Sequence, residues 1–194
     1  MIAIVDSGGA NLSSVVNAFE KLGRPATLTA DPDIIAQSPK VILPGVGAAG
    51  AAMAALEKNG LLACLRGLKQ PVLGICLGMQ VLFESSEEGP TPCLGVIPGK
   101  VERLRAPGLA VPHMGWNEVE QDGSCPLFKG IPNGAFFYFI HSYRAAEGIW
   151  VKARCDYGEQ VPAAVERGNF FGVQFHPERS SKAGARLLEN FLSL

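Results

Sequence analysis

Residues 73–80 read LGICLGMQ, in which Cys76 lies between Gly74 and Gly78 where an apolar strand pattern gives way to a helical one. This pattern predicts a nucleophile elbow, a sharp strand-to-helix turn that exposes its central side chain and tolerates only glycine-sized neighbours. A thiol at a helix N-terminus faces unpaired backbone N–H groups and the positive end of the helix dipole, which favours its reactive thiolate form. The alternative interpretation is a packed core cysteine, because free cysteines are often buried.

A second segment, GVQFHPE at residues 172–178, supplies a base and an orienting acid. Pro177 disfavours the helical region for His176, so the tripeptide is predicted to be extended, with His176 and Glu178 projecting to the same side. Together with Cys76 they would form a set of nucleophile, base and orienting residue. The alternative is a surface turn with a solvated Glu178 and a hydrogen-bonded loop histidine.

Short apolar strands alternate with helical patterns through the first half of the chain, which predicts a parallel sheet with helices on its faces. The predicted strands here cover residues 1–5, 26–29, 41–43 and 71–75. The predicted helices follow an Asn11 N-cap, the Asp31-Pro32 pair and the glycine-rich turn 44–50, and a further helix covers 61–68. Glycines and prolines between residues 89 and 99 predict a long loop. The second half of the chain contains short β-rich runs, which are predicted to extend the sheet as hairpins. These runs are 101–104, 136–140, 149–153, 163–165 and 170–175. A last helix, capped by Ser180 or Ser181, is predicted to follow them.

The composition of the 194-residue chain restricts the classes of protein to which it can belong. A hydrophobic content of 47% supports one sizeable core, so a single domain over residues 1–194 is expected. The formal net charge of -1, with scattered Lys and Arg, argues against a nucleic-acid binder. Without a signal peptide or an apolar run long enough to span a membrane, we expect a cytoplasmic protein.

The five cysteines are odd in number and widely spaced, with no C-x-x-C pair. This usage is typical of a reducing compartment rather than of a disulfide framework or a zinc site. His113 and His141 have no Cys, Asp or Glu at metal spacing nearby and are predicted to be hydrogen-bonded structural residues. We therefore predict no metal and no cofactor.

Residues 44–47, PGVG, end a predicted strand, and ligands bind beyond the carboxyl ends of the strands in such a sheet. The amides around Val46, with the Leu77 amide that follows the nucleophile, could therefore stabilise the oxyanion of an acyl transfer. A phosphate-binding turn is the competing interpretation, but the sequence has no Walker lysine and no G-x-G-x-x-G.

Gln80 lies one helical turn after the cysteine on the same predicted helix face, and Glu84 continues that face. Either side chain could bind polar groups of an amide or amino-acid substrate, which needs acceptors for its ammonium and paired donors for its carboxylate. The alternative for both is a solvated helix surface.

In their order and spacing, residues 44–47, 74–80 and 175–178 resemble the motifs of the class I, triad-type glutamine amidotransferases. Within that superfamily, PHMGWN at 112–117 and GAFFYFIHSY at 134–143 are similar to the glutaminase-subunit family of imidazole glycerol phosphate synthase, from histidine biosynthesis. The resemblance spans nearly the whole chain. It implies a flavodoxin-like α/β fold, with a mostly parallel central sheet flanked by helices and antiparallel strands added in the second half.

The resemblance also implies a mechanism. Cys76 would attack the side-chain amide of glutamine and form a glutamyl thioester, while His176 moves the protons and Glu178 holds the imidazole in the useful tautomer. Water activated by His176 would then release glutamate. The peptide between Gly45 and Val46 would reorient to complete the oxyanion hole.

By the same resemblance, the ammonia would pass to a separate (β/α)₈-barrel cyclase subunit, with which the chain would form a heterodimer. The positions implied to lie near the glutamine are Gly47, Gln80, Ser142 and Tyr143, with Glu84 as a further candidate. The positions implied to face the cyclase are Asn11, Trp116, Asn117, Tyr138 and Arg179. The alternative for Trp116 is a core or loop anchor. The aromatic residues predicted to be sheet core are Phe136, Phe137 and Phe139.

One segment departs from the commoner family pattern, Asp-Tyr-Gly-x-Gly-Asn-Leu, because DSGGANL at residues 6–12 lacks the tyrosine and the second aligned glycine. This departure concerns local contacts, at the subunit boundary, and leaves the triad untouched. The rival functions are the glutaminase subunit of another amidotransferase, such as the pyridoxal phosphate synthase type, and a stand-alone cysteine hydrolase. The non-enzymatic alternatives are a redox-sensing flavodoxin-like domain and a catalytically silent docking subunit.

Overall fold

The computed structural model describes residues 1–8 and 12–194. The elements of its first half are β1 (Ile2–Val5), α1 (Leu12–Lys21), β2 (Ala26–Thr29), α2 (Pro32–Gln37), β3 (Lys40–Gly45), α3 (Ala49–Lys58), α4 (Leu61–Gly67), β4 (Val72–Cys76) and α5 (Leu77–Gln80). Those of its second half are β5 (Ser85–Ser86), β6 (Thr91–Pro92), β7 (Lys100–Arg103), β8 (His113–Gln121), β9 (Ala135–His141), β10 (Tyr143–Arg144), β11 (Val151–Asp156), β12 (Gln160–Arg167), β13 (Phe170–Val173) and α6 (Ser181–Leu192). Short 3₁₀ turns lie at Pro126–Phe128 and Pro177–Arg179.

In the described part of the chain, nine of these strands form one sheet in the order β2-β1-β3-β4-β13-β12-β11-β8-β9. The first five strands in that order run parallel. The remaining four continue the sheet antiparallel. A smaller sheet has the order β10-β7-β5-β6. The predicted α/β fold, with its parallel centre and its antiparallel strands in the second half, is confirmed.

The four inner parallel strands, β1, β3, β4 and β13, are buried on both faces, as their continuous apolar runs predict, whereas the edge strand β2 is partly exposed. One face of the sheet carries Ile4 and Ile75 against α1 and α6, and the other carries Val5 and Leu43 against α2, α3 and α4. Because a strand alternates its side chains, each central strand contributes to both layers of the core. Over residues 1–8 and 12–194, no helix combines the length and the apolar character that crossing a membrane requires.

The strand register brings the carboxyl ends of three neighbouring strands together. Gly45 in β3 pairs with Cys76 at the end of β4, and Val173 at the end of β13 pairs with Ile75. The segments that follow these strands therefore start side by side at one edge of the sheet, which is where ligands bind in such folds.

Helix starts and ends account for most differences from the sequence predictions. Asp31 caps α2 as predicted, accepting from the N–H groups of Asp33 and Ile34 at 2.8 and 3.3 Å. Ser180 is the N-cap residue of α6, as predicted, but its side chain accepts from no helical N–H group, because Ser180 Oγ instead donates to the carbonyl of His176 at 2.6 Å. The Asn11 cap lies outside the described residues.

The helix after the cysteine is much shorter than predicted. It ends at Gln80, and the next three residues, Val81, Leu82 and Phe83, are all buried in the core. The chain then leaves the helix, and the Glu84 N–H donates to the carbonyl of Gly99 at 3.0 Å. The prediction that Glu84 continues the helix face of Gln80 is therefore wrong, because burial of three consecutive apolar side chains overrides the helical period.

Candidate active site

Cys76 has the strained backbone that a nucleophile elbow requires. Its φ is 54° and its ψ is −111°, a conformation that costs free energy for any residue with a Cβ. The two flanking glycines make it possible. A Cβ on Gly78 would lie 1.7 Å from the carbonyl oxygen of Leu43, and one on Gly74 would lie 2.7 Å from that of Gly78. The turn is thus held by close backbone contact between β3, β4 and α5.

His176 and Glu178 form a buried pair beside the elbow. His176 Nδ1 lies 2.8 Å from Glu178 Oε1, and 6% and 2% of the two side chains are exposed. His176 itself is extended, but Pro177–Arg179 form a 3₁₀ turn, so the prediction of an extended tripeptide is wrong beyond the histidine. The turn brings the carboxylate back onto the imidazole.

The backbone of His176 is tied to its neighbours. Its N–H donates to the carbonyl of Tyr138 at 2.8 Å, and its carbonyl accepts from Ser180 Oγ. The same serine oxygen accepts from the Tyr138 N–H at 3.0 Å. Ser180, which no sequence pattern singled out for this role, therefore fixes the base against β9.

The electrostatic environment of His176 favours its protonated form. Burial lowers the pKa of the ring, but interaction with Cys76 and Glu178 outweighs burial and raises the pKa to about 10. His176 Nε2 makes no hydrogen bond with the described residues. The Cys76 thiol donates instead to the carbonyl of Ile140 at 3.7 Å. With no hydrogen bond of its own among the described residues, Nε2 is left to exchange a proton with a ligand.

A cavity of about 300 Å³ opens in front of the cysteine. The predicted site residues that line it are Val46, Gly47, Cys76, Leu77, Gln80, Ser142, Tyr143 and His176. Four lining residues were not among the predicted site residues, and these are Glu88, Pro112, Ile140 and His141. Gly45 does not line this cavity but lies directly behind it, where an added Cβ would be 3.0 Å from Leu77 Cβ.

The acidic residue at the cavity is Glu88 and not Glu84. Glu84 is exposed, and its carboxylate accepts from the Gly99 N–H at 2.9 Å, away from the cavity. Glu88 lines the cavity, and its carboxylate accepts from the Ala49 N–H at the start of α3, at 2.8 Å. The ESSEEGP segment offers three glutamates without a periodic pattern, so no sequence signal distinguished Glu88 from the others.

A pair of buried histidines lies at one wall of the cavity, where His141 lines the cavity and His113 lies behind it. His113 Nδ1 and His141 Nε2 are 3.0 Å apart, and His141 Nδ1 lies 2.8 Å from the carbonyl oxygen of Tyr143. Burial lowers the pKa of His113 to about 4 and that of His141 to about 3, so both rings are neutral near pH 7. Both rings are hydrogen-bonded, as predicted, and they are hydrogen-bonded to each other.

The residues implied to face a partner divide between two faces of β8 and β9. Trp116 and Tyr138 are cross-strand partners with ring centroids 6.1 Å apart, and Arg179 lies over the Tyr138 ring at 5.9 Å. Asn117 turns to the opposite face, where its amide donates to the carbonyl of Asp156 at 2.8 Å. Asn11 lies outside the described residues.

Phe136 corrects a further prediction. It is 54% exposed beside Trp116 and Met114, which are 52% and 59% exposed, whereas Phe137 and Phe139 are buried as predicted. Alternation along β9 sends residue 136 to the outer face and its neighbour inward. The outer face of the β8–β9 hairpin is therefore an exposed apolar patch.

Comparison with known proteins agrees with this geometry. The model of the family "Glutamine amidotransferase class-I" matches residues 3–194. The chain belongs to that family. It is 47% identical to imidazole glycerol phosphate synthase subunit HisH 1 of Vibrio vulnificus, over 100% of this chain and 98% of the relative. It is 50% identical to subunit HisH 2 of Legionella pneumophila subsp. pneumophila, with the same coverage.

Solved structures of amidotransferases share the fold at lower sequence identity. A crystal structure described as a glutamine amidotransferase covers 99% of this chain and 97% of its own, with a TM-score of 0.76 and 21% identity. A glutamine amidotransferase from Thermotoga maritima covers 99% and 82%, with a TM-score of 0.68 and 16% identity. At these identities the likeness concerns the fold alone.

The crowding at the elbow predicts opposite effects for two glycine-to-alanine substitutions. We expect Gly78→Ala to lower the free energy of unfolding by about 3 kcal/mol, because its Cβ would meet the Leu43 carbonyl. Gly67→Ala is the control, since no atom lies within 4 Å of its added Cβ, and it should raise stability by about 0.5 kcal/mol. Urea denaturation measures both, and equal effects would contradict the argument.

The neutral histidines predict a loss of stability in acid. A histidine with a lowered pKa stabilises the fold above its unfolded pKa of about 6.5 and loses that contribution as the pH falls towards the folded value. For His113 this loss should occur between pH 6.5 and 4, at up to about 1.4 kcal/mol per pH unit. We expect a shallower slope for His113→Gln in urea denaturation across this range. Parallel profiles would show that His113 does not titrate as proposed.

Proposed function

We propose that this chain is the glutaminase subunit of an imidazole glycerol phosphate synthase, and that it hydrolyses L-glutamine to glutamate and ammonia at Cys76. The observation that carries the proposal is the Cys76, His176 and Glu178 constellation at a cavity of amino-acid size. Full-length similarity to HisH subunits supports this choice among the amidotransferases.

The arrangement suits acyl transfer through a thioester. The Cys76 thiolate attacks the side-chain carbonyl carbon of glutamine, and His176 Nε2 gives its proton to the departing ammonia. Water then attacks the thioester while the same nitrogen takes its proton, which releases glutamate and restores the thiolate and the imidazolium. Glu178 accepts from Nδ1 throughout and so holds the useful tautomer.

Both tetrahedral intermediates carry an oxyanion that needs hydrogen-bond donors. Val46 and Leu77 lie on the cavity wall next to Cys76, so their amides are the proposed donors. A Cβ on Gly45 would lie 3.0 Å from Leu77 Cβ, so a glycine without a side chain fits beside the peptide that joins it to Val46. We propose that this peptide reorients to present its N–H when the cyclase is bound.

The far end of the glutamine would be held by the residues opposite the cysteine. The Glu88 carboxylate is the proposed acceptor for the substrate ammonium, in place of Glu84. The Gln80 amide nitrogen is already engaged within the protein, which leaves its carbonyl oxygen for the ligand. Gly47 and the Ser142-Tyr143 segment are proposed to contact the carboxylate.

The exposed patch on β8 and β9 is the proposed docking surface for the (β/α)₈-barrel cyclase in a heterodimer. Trp116, Tyr138 and Arg179 lie there together, and the apolar area continues through Phe136. Ile140 follows Tyr138 on the same row of β9 and lines the cavity. A partner seated on the patch would therefore lie close to the place where ammonia is formed.

The proposed function predicts activity that depends on a partner. We expect the purified chain to release glutamate from glutamine slowly on its own and much faster with a HisF-type cyclase and the nucleotide ligand of that cyclase. Cys76→Ser should abolish release in both samples. A coupled glutamate assay measures the rates, and equal, substantial activity with and without the cyclase would reject the proposed partner.

The oxyanion role of Val46 predicts a selective loss of turnover. Val46→Pro removes the amide hydrogen, so glutamine hydrolysis should fall about 100-fold or more. Val46→Ala keeps the hydrogen and serves as the control, with turnover close to that of the unmodified chain. Urea denaturation of both variants separates the effects, since a loss of stability in proportion to the loss of turnover would contradict the role.

A further inference from the structure

Two chains of buried hydrogen bonds meet at the backbone carbonyl of Tyr143. His141 Nδ1 approaches its oxygen at 2.8 Å, and Gln80 Nε2 approaches the same oxygen at 3.0 Å. A carbonyl can only accept, so both nitrogens must donate to it. This single acceptor therefore sets the direction of every hydrogen bond in the two chains.

The Tyr143 carbonyl determines the orientation of the Gln80 amide, and the Gln80 amide in turn determines the orientation of the side chain next to the nucleophile. With its nitrogen fixed towards Tyr143, Gln80 Nε2 also donates to Gln174 Oε1 at 2.9 Å. The Gln174 amide is thereby turned so that its own nitrogen faces the cysteine, and Gln174 Nε2 lies 3.7 Å from Cys76 Sγ. A flipped amide at Gln80 would place two oxygens in contact.

The position of Gln174 follows from strand register. Val173, the last residue of β13, pairs with Ile75, so Gln174, which follows it, lies beside Cys76 at the end of β4. Gln174 has no exposed surface, and its side chain is surrounded by protein rather than water. A fully buried amide whose N–H points at a sulfur is a specific arrangement, because burial without partners would be costly.

Ionisation of the thiol changes the two contacts of the sulfur in opposite ways. The S–H donates to the Ile140 carbonyl, and that bond disappears with the proton. The N–H of Gln174 then donates to a full negative charge, and hydrogen bonds to charged acceptors are about twice as strong as neutral ones. The Gln174 contact therefore favours the thiolate, whereas the Ile140 contact favours the thiol.

We propose that Gln174 is a positioning residue that holds the Cys76 sulfur in place and stabilises its thiolate. It does so through its side-chain N–H, which Gln80 and the Tyr143 carbonyl orient towards the sulfur. The catalytic meaning of this role rests on the proposed glutaminase function, but the effect on the sulfur can be measured without glutamine.

Substitution of Gln174 leaves the other titratable groups near the sulfur unchanged. His176 and Glu178 follow β13, His141 ends β9 with His113 behind it, and Glu88 lies across the cavity. Because a change at Gln174 removes none of them, a shift in thiol reactivity would report the loss of the amide N–H itself.

The test is the pH dependence of Cys76 alkylation in the full chain. Iodoacetamide reacts with the thiolate, and mass spectrometry of peptide 70–84, released by cleavage after Lys69 and Glu84, separates Cys76 from the other four cysteines. In Gln174→Met, which keeps the side-chain length without a donor, we expect the midpoint of alkylation to rise by about one pH unit. At a pH below both midpoints, the alkylation rate should fall about tenfold. With the cyclase partner present, kcat for glutamine should fall while KM changes little.

Asn190→Leu is the matched control. Asn190 is also a buried amide, but its nitrogen donates to the carbonyls of Leu127 and Lys129 beneath α6. This variant loses two buried hydrogen bonds and some stability, yet its alkylation midpoint should match that of the unmodified chain. A shift of the same size in Asn190→Leu would mean that loosening of the fold, and not the N–H, changes the thiol.

A second variant keeps the proposal testable if Gln174→Met does not fold. Gln80→Met leaves Gln174 in place but releases its orientation, so the midpoint should rise by a smaller amount. An unchanged midpoint in a folded Gln174→Met, or in Gln80→Met where the first variant fails to fold, overturns the proposal. A shifted midpoint in a chain that never hydrolyses glutamine would reject the proposed function while leaving the effect on the sulfur intact.

Discussion

The site depends on one constraint, the backbone of Cys76 at a positive φ of 54°. This conformation persists because the turn is enclosed, with the backbone of Gly78 pressed against the Leu43 carbonyl and Gly74 against Gly78. The parallel pairing of β3 with β4 supplies that enclosure, and the pairing of β4 with β13 places His176 within reach. The strain at one residue is thus maintained by the most buried part of the sheet.

Around the strained turn, the histidines differ in charge, because the two that take no part in the reaction are neutral and His176 is protonated. His113 and His141 remain neutral because burial lowers the pKa of each, whereas the pKa of His176 is raised by Cys76 and Glu178 despite burial. Two neutral histidines next to a charged one avoid repulsion at the cavity. His141 also donates to the Tyr143 carbonyl, from which the orientation of the two glutamines follows.

The sequence was sufficient for the features that depend on local constraints. The elbow could be predicted because glycines lie on both sides of the cysteine. The pairing of His176 with Glu178 could be predicted from the proline that follows the histidine, and the sheet from the alternation of strand and helix patterns. Glu88 could not be distinguished from Glu84, because the helix that would have placed Glu84 ends early to bury Val81, Leu82 and Phe83. Phe136 was misplaced because a run of aromatic residues conceals which members of an alternating strand face outward. Gln174 gave no signal, since its role depends on a neighbouring strand.

The central claim is that Cys76 carries the acyl group of glutamine. The direct measurement is acid quenching of the chain, bound to the proposed cyclase partner, during glutamine turnover, followed by mass spectrometry of the peptide that contains Cys76. One glutamyl group is expected on that cysteine, in an amount that falls when glutamine is exhausted. Steady glutamate release with no adduct on Cys76, and with undiminished rate in Cys76→Ala, would contradict it.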